Sequence, residues 1–230
     1  MSLYNKAFYK IDINLDEIER INKYMVTNSY IYKYRDMIIK KYWYCTEYAI
    51  GDNMFNKLCS IDNKHLIKLY ELYTILSDYE YDYYKQRNLF SKDGYTAKYY
   101  KKDSINPVLE SSNYLIENIE GIKELIEILS SYKIIMKDTK IGNSIIQNSG
   151  IVLIDPDYYE FSNLDIESIR KNNYKELLCL IKTIFEHYSK KGKKYFSDLE
   201  NNDPIDSINY IENNLKKVIR PIDMVSKNRY

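Results

Sequence analysis

Between residues 137 and 157 the chain reads Lys137-Asp138-Thr139-Lys140-Ile141-Gly142-Asn143, then two short apolar runs, then Leu153-Ile154-Asp155-Pro156-Asp157. A carboxylate is thus followed by an ammonium two residues on, a carboxamide five residues on, and a second carboxylate closing an apolar run. Carboxylate and amide oxygens are the hard donors Mg²⁺ prefers, and it takes few of them from protein, completing its shell with water and phosphate. Phosphoryl transfer is chiefly a positioning and electrostatic problem, and it needs a cation on the phosphates and a carboxylate beside the attacking hydroxyl. Singly, each residue has a plainer reading. Asp155-Pro156-Asp157 is turn chemistry at a strand end, Asn143 suits a cap or turn after Gly142, Asp138 suits a solvated loop, and Lys40 beside Lys41 suits a surface strand.

The elements that must position these residues follow from periodicity. Ile11, Leu15, Ile18, Ile21 and Met25 recur at helical steps behind the cap candidate Asn14, predicting a helix over residues 8–25. From Ser29 the chain turns aromatic and β-branched: Tyr30 to Tyr34, the turn Arg35-Asp36 and Met37 to Tyr42 predict a β-hairpin. Phe55, Leu58 and Ile61 share one helical face, Leu66 to Ile75 reads as a strand, and Asp93-Gly94 turns into a strand over Tyr95 to Tyr100. A polar stretch with Pro107, Ser104 to Ser112, breaks regular structure and marks the boundary between an N-terminal part, 1–103, and a C-terminal part, 104–230. Leu115, Ile119, Ile122, Ile126 and Leu129 then predict a helix. Two short strands flank an Asn-Ser-Gly turn at residues 148–150, and Ile166 to Tyr188 and Ile205 to Ile219 are helical by pattern.

With these elements in place, the sequence resembles the protein-kinase-like family. Asp138, Lys140 and Asn143 match the spacing of that family's catalytic loop, and Asp155 follows a β-hairpin where the family carries its metal-binding aspartate. Upstream, Met37-Ile38-Ile39-Lys40 resembles the strand ending in the phosphate-binding lysine, and Asn63 to Leu69 resembles the turn and strand after the regulatory helix. The resemblance implies an α+β, two-lobed fold: a small N-lobe with an antiparallel sheet and a reduced helical C-lobe, together one domain. It implies ATP and Mg²⁺ as cofactors. Lys40 would pair with the nucleotide phosphates, Asn143 and Asp155 would hold the metal, Asp138 would orient or deprotonate an acceptor hydroxyl, and Lys140 would neutralise the transferring group. Asp157 is an additional carboxylate near the metal position.

The chain also departs from the family pattern. No glycine occurs from Tyr24 to Ile31, where a phosphate-cradling loop belongs. The glutamate that pairs with the strand lysine aligns with Met54, with Asp52 and Glu47 nearby. Met136 and Lys137 stand at the family's histidine and arginine, the third motif reads Asp-Pro-Asp, and no Ala-Pro-Glu segment follows. Two functions are therefore implied: a divergent phosphotransferase acting on a hydroxyl of a protein or small molecule, or a catalytically inactive pseudokinase serving as a binding or regulatory module.

Composition narrows the remaining classes. The chain has 230 residues with 34 Lys+Arg against 33 Asp+Glu, so no whole-chain charge drives binding to nucleic-acid phosphates. Its 27 tyrosines read as the codon drift of an AT-rich genome, with a stacking surface for single strands as the alternative. Cys45, Cys59 and Cys179 are widely spaced, and with only His65 and His187 beside them they form neither a disulfide framework nor a zinc site. Both histidines read as packed or surface residues, Trp43 as a cover for the sheet, and Lys190 to Lys194 as a solvated loop. No membrane span or signal segment is read, and the expectation is a cytoplasmic protein whose partners are a nucleotide and a protein or small-molecule acceptor, without membrane or nucleic acid.

Overall fold

In the described strands of the first part of the chain, stretches rich in aromatic and β-branched residues form antiparallel pairs. A computed structural model describes residues 17, 19–21, 29–42, 50–73, 94–108, 112–188, 199 and 202–218. The chain divides into two compact units, one of Met1–Asp62 with Ile67–Tyr100 and the other of Asn63–Leu66 with Lys101–Tyr230.

In the first unit β1 (Glu19–Arg20), β2 (Ser29–Tyr34), β3 (Met37–Tyr42), β4 (Leu69–Tyr73) and β5 (Gly94–Lys98) build a five-stranded antiparallel sheet in the order β1-β2-β3-β5-β4. The predicted hairpin is present, and Arg35 in its turn takes a left-handed conformation, φ 53°. Register sets Lys40 of β3 opposite Ile31 of β2 on one side and Tyr95 of β5 on the other. Helix α1 (Asp52–Cys59) follows Gly51 and buries Met54, Phe55 and Leu58, while Asp52 and Lys57 complement its dipole at opposite ends. Phe55 lies against Tyr95, so α1 covers the face of the sheet that carries that tyrosine.

The helix predicted over residues 8–25 is corrected at its described positions. Glu19 and Arg20 pair with Lys33 and Tyr32 as an edge strand, and the Arg20 guanidinium lies 4.2 Å from the centroid of the Tyr30 ring. Cross-strand pairing of unlike charges and a cation on an aromatic face outweigh the local helical pattern here. The rest of that stretch, apart from Glu17 and Ile21, lies outside the described residues, as do Tyr24 to Asn28, Trp43, Cys45, Glu47, Ile75, Asp93 and Lys190 to Lys194.

The second unit is mainly helical. Helix α2 (Ser112–Ser131) buries Leu115, Ile119, Ile122, Leu125, Ile126 and Leu129 against α3 (Ile166–Tyr188), whose Ile169, Leu177, Leu180, Ile181 and Ile184 face it and α4 (Pro204–Val218). Each such side chain contributes about 1.5–3 kcal/mol by leaving water. Lys123–Glu212 and Arg170–Glu127 ion pairs, at 3.0 and 2.8 Å, link α2 to α4 and to α3. Between α2 and α3 lie β6 (Ile134–Ile135), paired with β9 (Glu160–Phe161), and the hairpin of β7 (Ser144–Gln147) with β8 (Gly150–Leu153). Gly150 opens β8 at φ 138°, and a Cβ there would stand 2.8 Å from the Asn118 carboxamide oxygen, so the turn needs glycine.

His65 ties the Asn63–Leu66 segment to β8. Its carbonyl accepts from the Leu153 amide at 2.8 Å, and its imidazole Nδ1 donates to the Ile151 carbonyl at 2.8 Å. The ring is 1% exposed, so it is a packed histidine, whereas His187 is exposed. The expected α+β architecture, an antiparallel sheet first and helices after it, is observed. Among the described residues no helix is long and apolar enough to cross a membrane.

Candidate active site

The loop after β6 folds around Asp138. That residue takes a left-handed conformation, φ 56°, which aspartate tolerates better than most residues. Its carboxylate accepts from Lys140 Nζ at 2.7 Å through Oδ1 and from Asn143 Nδ2 at 2.9 Å through Oδ2. Asn143 Nδ2 also donates to the Asp138 carbonyl at 2.8 Å. All the oxygens it meets are acceptors, which fixes the amide orientation and turns the Asn143 Oδ1 atom away from Asp138. The hydrogen bond to Asp138, helped by the charge of Asp155, raises the Lys140 ammonium pKa above its ordinary value. A 3₁₀ turn, Ile141–Asn143, supplies the local chain reversal that returns Asn143 to Asp138.

Asp155 is delivered by β8. The Ile154 amide donates to the Asn143 carbonyl at 3.0 Å, which pins the chain just before Asp155 to the loop. Pro156 then starts a 3₁₀ turn over Pro156–Tyr158, using its fixed φ at the first position. The hydroxyl of the buried Tyr159 is held well above its usual pKa, mainly by burial and further by the charges of Asp155 and Glu176. Asp138, Lys140, Asn143 and Asp155 therefore form one cluster within the second unit.

Helix α3 holds this loop through side chains that sequence reasoning did not single out. Asn173, 0% exposed, accepts the Met136 amide at 2.7 Å and donates to the Ile134 carbonyl and to Ser130 Oγ at 3.0 and 3.1 Å. Glu176 accepts the Thr139 amide at 2.8 Å, and Thr183 accepts the Ile141 amide at 3.0 Å. These three residues satisfy loop amides that no strand or helix partner reaches. The available signal was a polar Asn173 in register with Ile169, Leu177 and Leu180 on an apolar helix face. Met136 is buried and Lys137 pairs with Glu160 at 2.6 Å, so these two positions serve the core and the surface.

Lys40 belongs to the first unit and is 5% exposed. Its Nζ lies 5.8 Å from the Tyr42 ring centroid and 5.6 Å from that of Tyr95. Met54, aligned with the family's glutamate, is buried on α1, and Asp52 is exposed at the start of that helix.

Among the described residues no group of three or more His, Cys, Asp or Glu side chains gathers as a metal cage. The chemistry of the residues present is compatible with Mg²⁺: Asp155 carries a carboxylate, and Asn143 has committed its NH₂ group to Asp138, so the oxygens of both side chains are hard donors of the kind that ion takes.

No protein-family model matches the chain, and no curated protein matches it. Among solved structures it is similar to the kinase PK-1 of Cydia pomonella granulovirus, with 15% identity and a TM-score of 0.45 over 65% of this chain and 57% of that one. The chain thus matches little more than half the length of that viral kinase.

Proposed function

We propose that the chain is a divergent ATP- and Mg²⁺-dependent phosphotransferase acting on a hydroxyl group of a protein or small molecule, and that it works in the cytoplasm. The observation that carries this reading is the closed set of contacts around Asp138, in which one carboxylate meets both the Lys140 ammonium and the Asn143 amide. Asp138 orients the acceptor hydroxyl and takes its proton, with its approach fixed by the two donors. Lys140 shares its positive charge with the transferring group. Asn143 Oδ1 and Asp155 hold magnesium, which supplies neutralisation of phosphate charge when bound. Lys40 binds nucleotide phosphates.

Thermal unfolding with and without ATP, in Mg²⁺ or EDTA, tests the reading. Ligand at a hundred times its dissociation constant stabilises the native state by about 2.7 kcal/mol. A Mg²⁺-dependent shift that disappears in Asp155→Asn is the expected result, and no shift with any nucleotide sinks the reading. The second reading, a pseudokinase used as a binding module, is favoured by Met54 in place of a helix glutamate. It predicts no turnover for Asp138→Asn to remove and a partner interaction that survives that change.

A further inference from the structure

A lysine removed from water loses the hydration of its ammonium, so the groups around it must offset that loss. For Lys40, 5% exposed in the middle of β3, the sheet itself supplies such groups. The antiparallel register sets Tyr95 directly across from Lys40, and Tyr42, two residues along the same strand, projects from the same face. The two rings stand edge to face, 6.3 Å between centroids and 68° between planes, and form a corner of aromatic surface. Lys40 Nζ lies 5.6 and 5.8 Å from their centroids, within the range where a cation is attracted by the ring quadrupole. Both rings are themselves braced. Phe55 of α1 backs Tyr95 at 6.5 Å, and the Tyr42 hydroxyl accepts the Ile50 amide at 3.4 Å just before α1 begins.

From this geometry we infer that Tyr42 and Tyr95 are positioning residues whose ring faces hold the Lys40 ammonium in place. Helix α1 presents the uncharged Met54 at the position where the family resemblance aligns a carboxylate, and the two ring faces are part of what surrounds the Lys40 ammonium. The consequence for phosphate binding rests on the phosphotransferase reading above. The holding itself does not, because it concerns the protein without ligand.

Two measurements on the full chain separate these points. In the free protein, the ε-methylene resonances of Lys40, identified by their loss in Lys40→Arg, are displaced upfield by ring currents. They stay displaced in Tyr95→Phe, which keeps an aromatic face, and move toward solvent-lysine values in Tyr95→Leu and Tyr42→Leu. In MgATP titrations Tyr95→Phe binds as the wild type does, whereas each leucine variant binds about tenfold more weakly, and adding Lys40→Met causes no further loss. Wild-type Lys40 resonances at ordinary lysine positions overturn the inference without any variant, so it does not depend on Tyr95→Leu folding. Leucine variants that leave the resonances in place also overturn it, as do displaced resonances with unchanged MgATP affinity. Failure of the wild type to bind MgATP defeats the phosphotransferase reading, and the resonances then decide the aromatic holding of Lys40 alone.

Discussion

The carboxamide of Asn143 donates to both the carbonyl and a carboxylate oxygen of Asp138, at 2.8 and 2.9 Å. Five residues apart in the chain, the two side chains close a loop that holds Asp138 in a left-handed backbone conformation with its carboxylate aimed at Lys140. The clamp joins backbone geometry to charge placement. A change at either residue is therefore felt in both.

Asp138→Asn keeps a side chain that tolerates the left-handed region, and Asp138→Ala does not. Chemical denaturation should show the alanine variant about 1 kcal/mol less stable than the asparagine variant. In an assay for phosphotransfer, both lose about 10²- to 10⁴-fold in turnover under the proposed function. Equal stability of the two variants contradicts the clamp as described.

Asn173→Ala removes the acceptor of the Met136 amide and the donor to Ile134 and Ser130, all in a buried site. Leaving such groups unsatisfied costs about 3 kcal/mol. A urea midpoint within error of the wild type shows that water or a neighbour replaces Asn173, and the helix is then not what holds the loop.

Gly121→Ala introduces a Cβ that collides with the His65 imidazole Nε2. Alanine in a helix interior is ordinarily better than glycine by about 1 kcal/mol, but the collision reverses the sign to a loss of about 1–3 kcal/mol. The double variant Gly121→Ala with His65→Ala should recover part of that loss, as a coupled pair does. Additive effects in the double variant count against direct packing.

The His65 pKa lies below the ordinary imidazole value of 6.5, mainly through burial and also through Lys64, while the Ile151 carbonyl and Glu124 pull it upward. Because the folded pKa is depressed, the unfolded chain takes up the proton first. The contribution of neutral His65 is complete above pH 6.5 and declines as pH falls from 6.5 toward the folded-state value. Urea midpoints measured from pH 7.5 to 5 should fall more steeply in the wild type than in His65→Leu, by up to about 1.4 kcal/mol per pH unit. Parallel profiles for the two proteins rule this linkage out.

Periodicity along the chain was sufficient for the hairpin of β2 and β3, for α1, and for the long helices α2 and α3, because each has an apolar face that must be covered. The opening stretch misled for the same reason it was persuasive. Its apolar residues have helical spacing, yet Glu19 and Arg20 lie against an open strand edge, where Lys33, Tyr32 and Tyr30 offer partners that a local pattern does not register.

The candidate site divides along a similar line. Asp138, Lys140 and Asn143 are separated by so few residues that one turn brings them together, and it was the family resemblance of their spacing that singled them out. Asp155 was singled out by its place after an apolar run, through the same resemblance. The support from Asn173, Glu176 and Thr183 arrives from a helix more than thirty residues away, as the separation of 37 between Met136 and Asn173 illustrates. Lys40 was visible as a lysine at a strand end, but its burial between Tyr42 and Tyr95 depends on which residue of β5 falls opposite it. By itself the sequence determined the short-range elements and the residue types available for chemistry, since those depend on neighbours along the chain. Only the tertiary structure decided which amides α3 holds and which aromatic faces meet Lys40. Register between strands and the facing of helices arise from contacts between distant segments, and no local pattern encodes them.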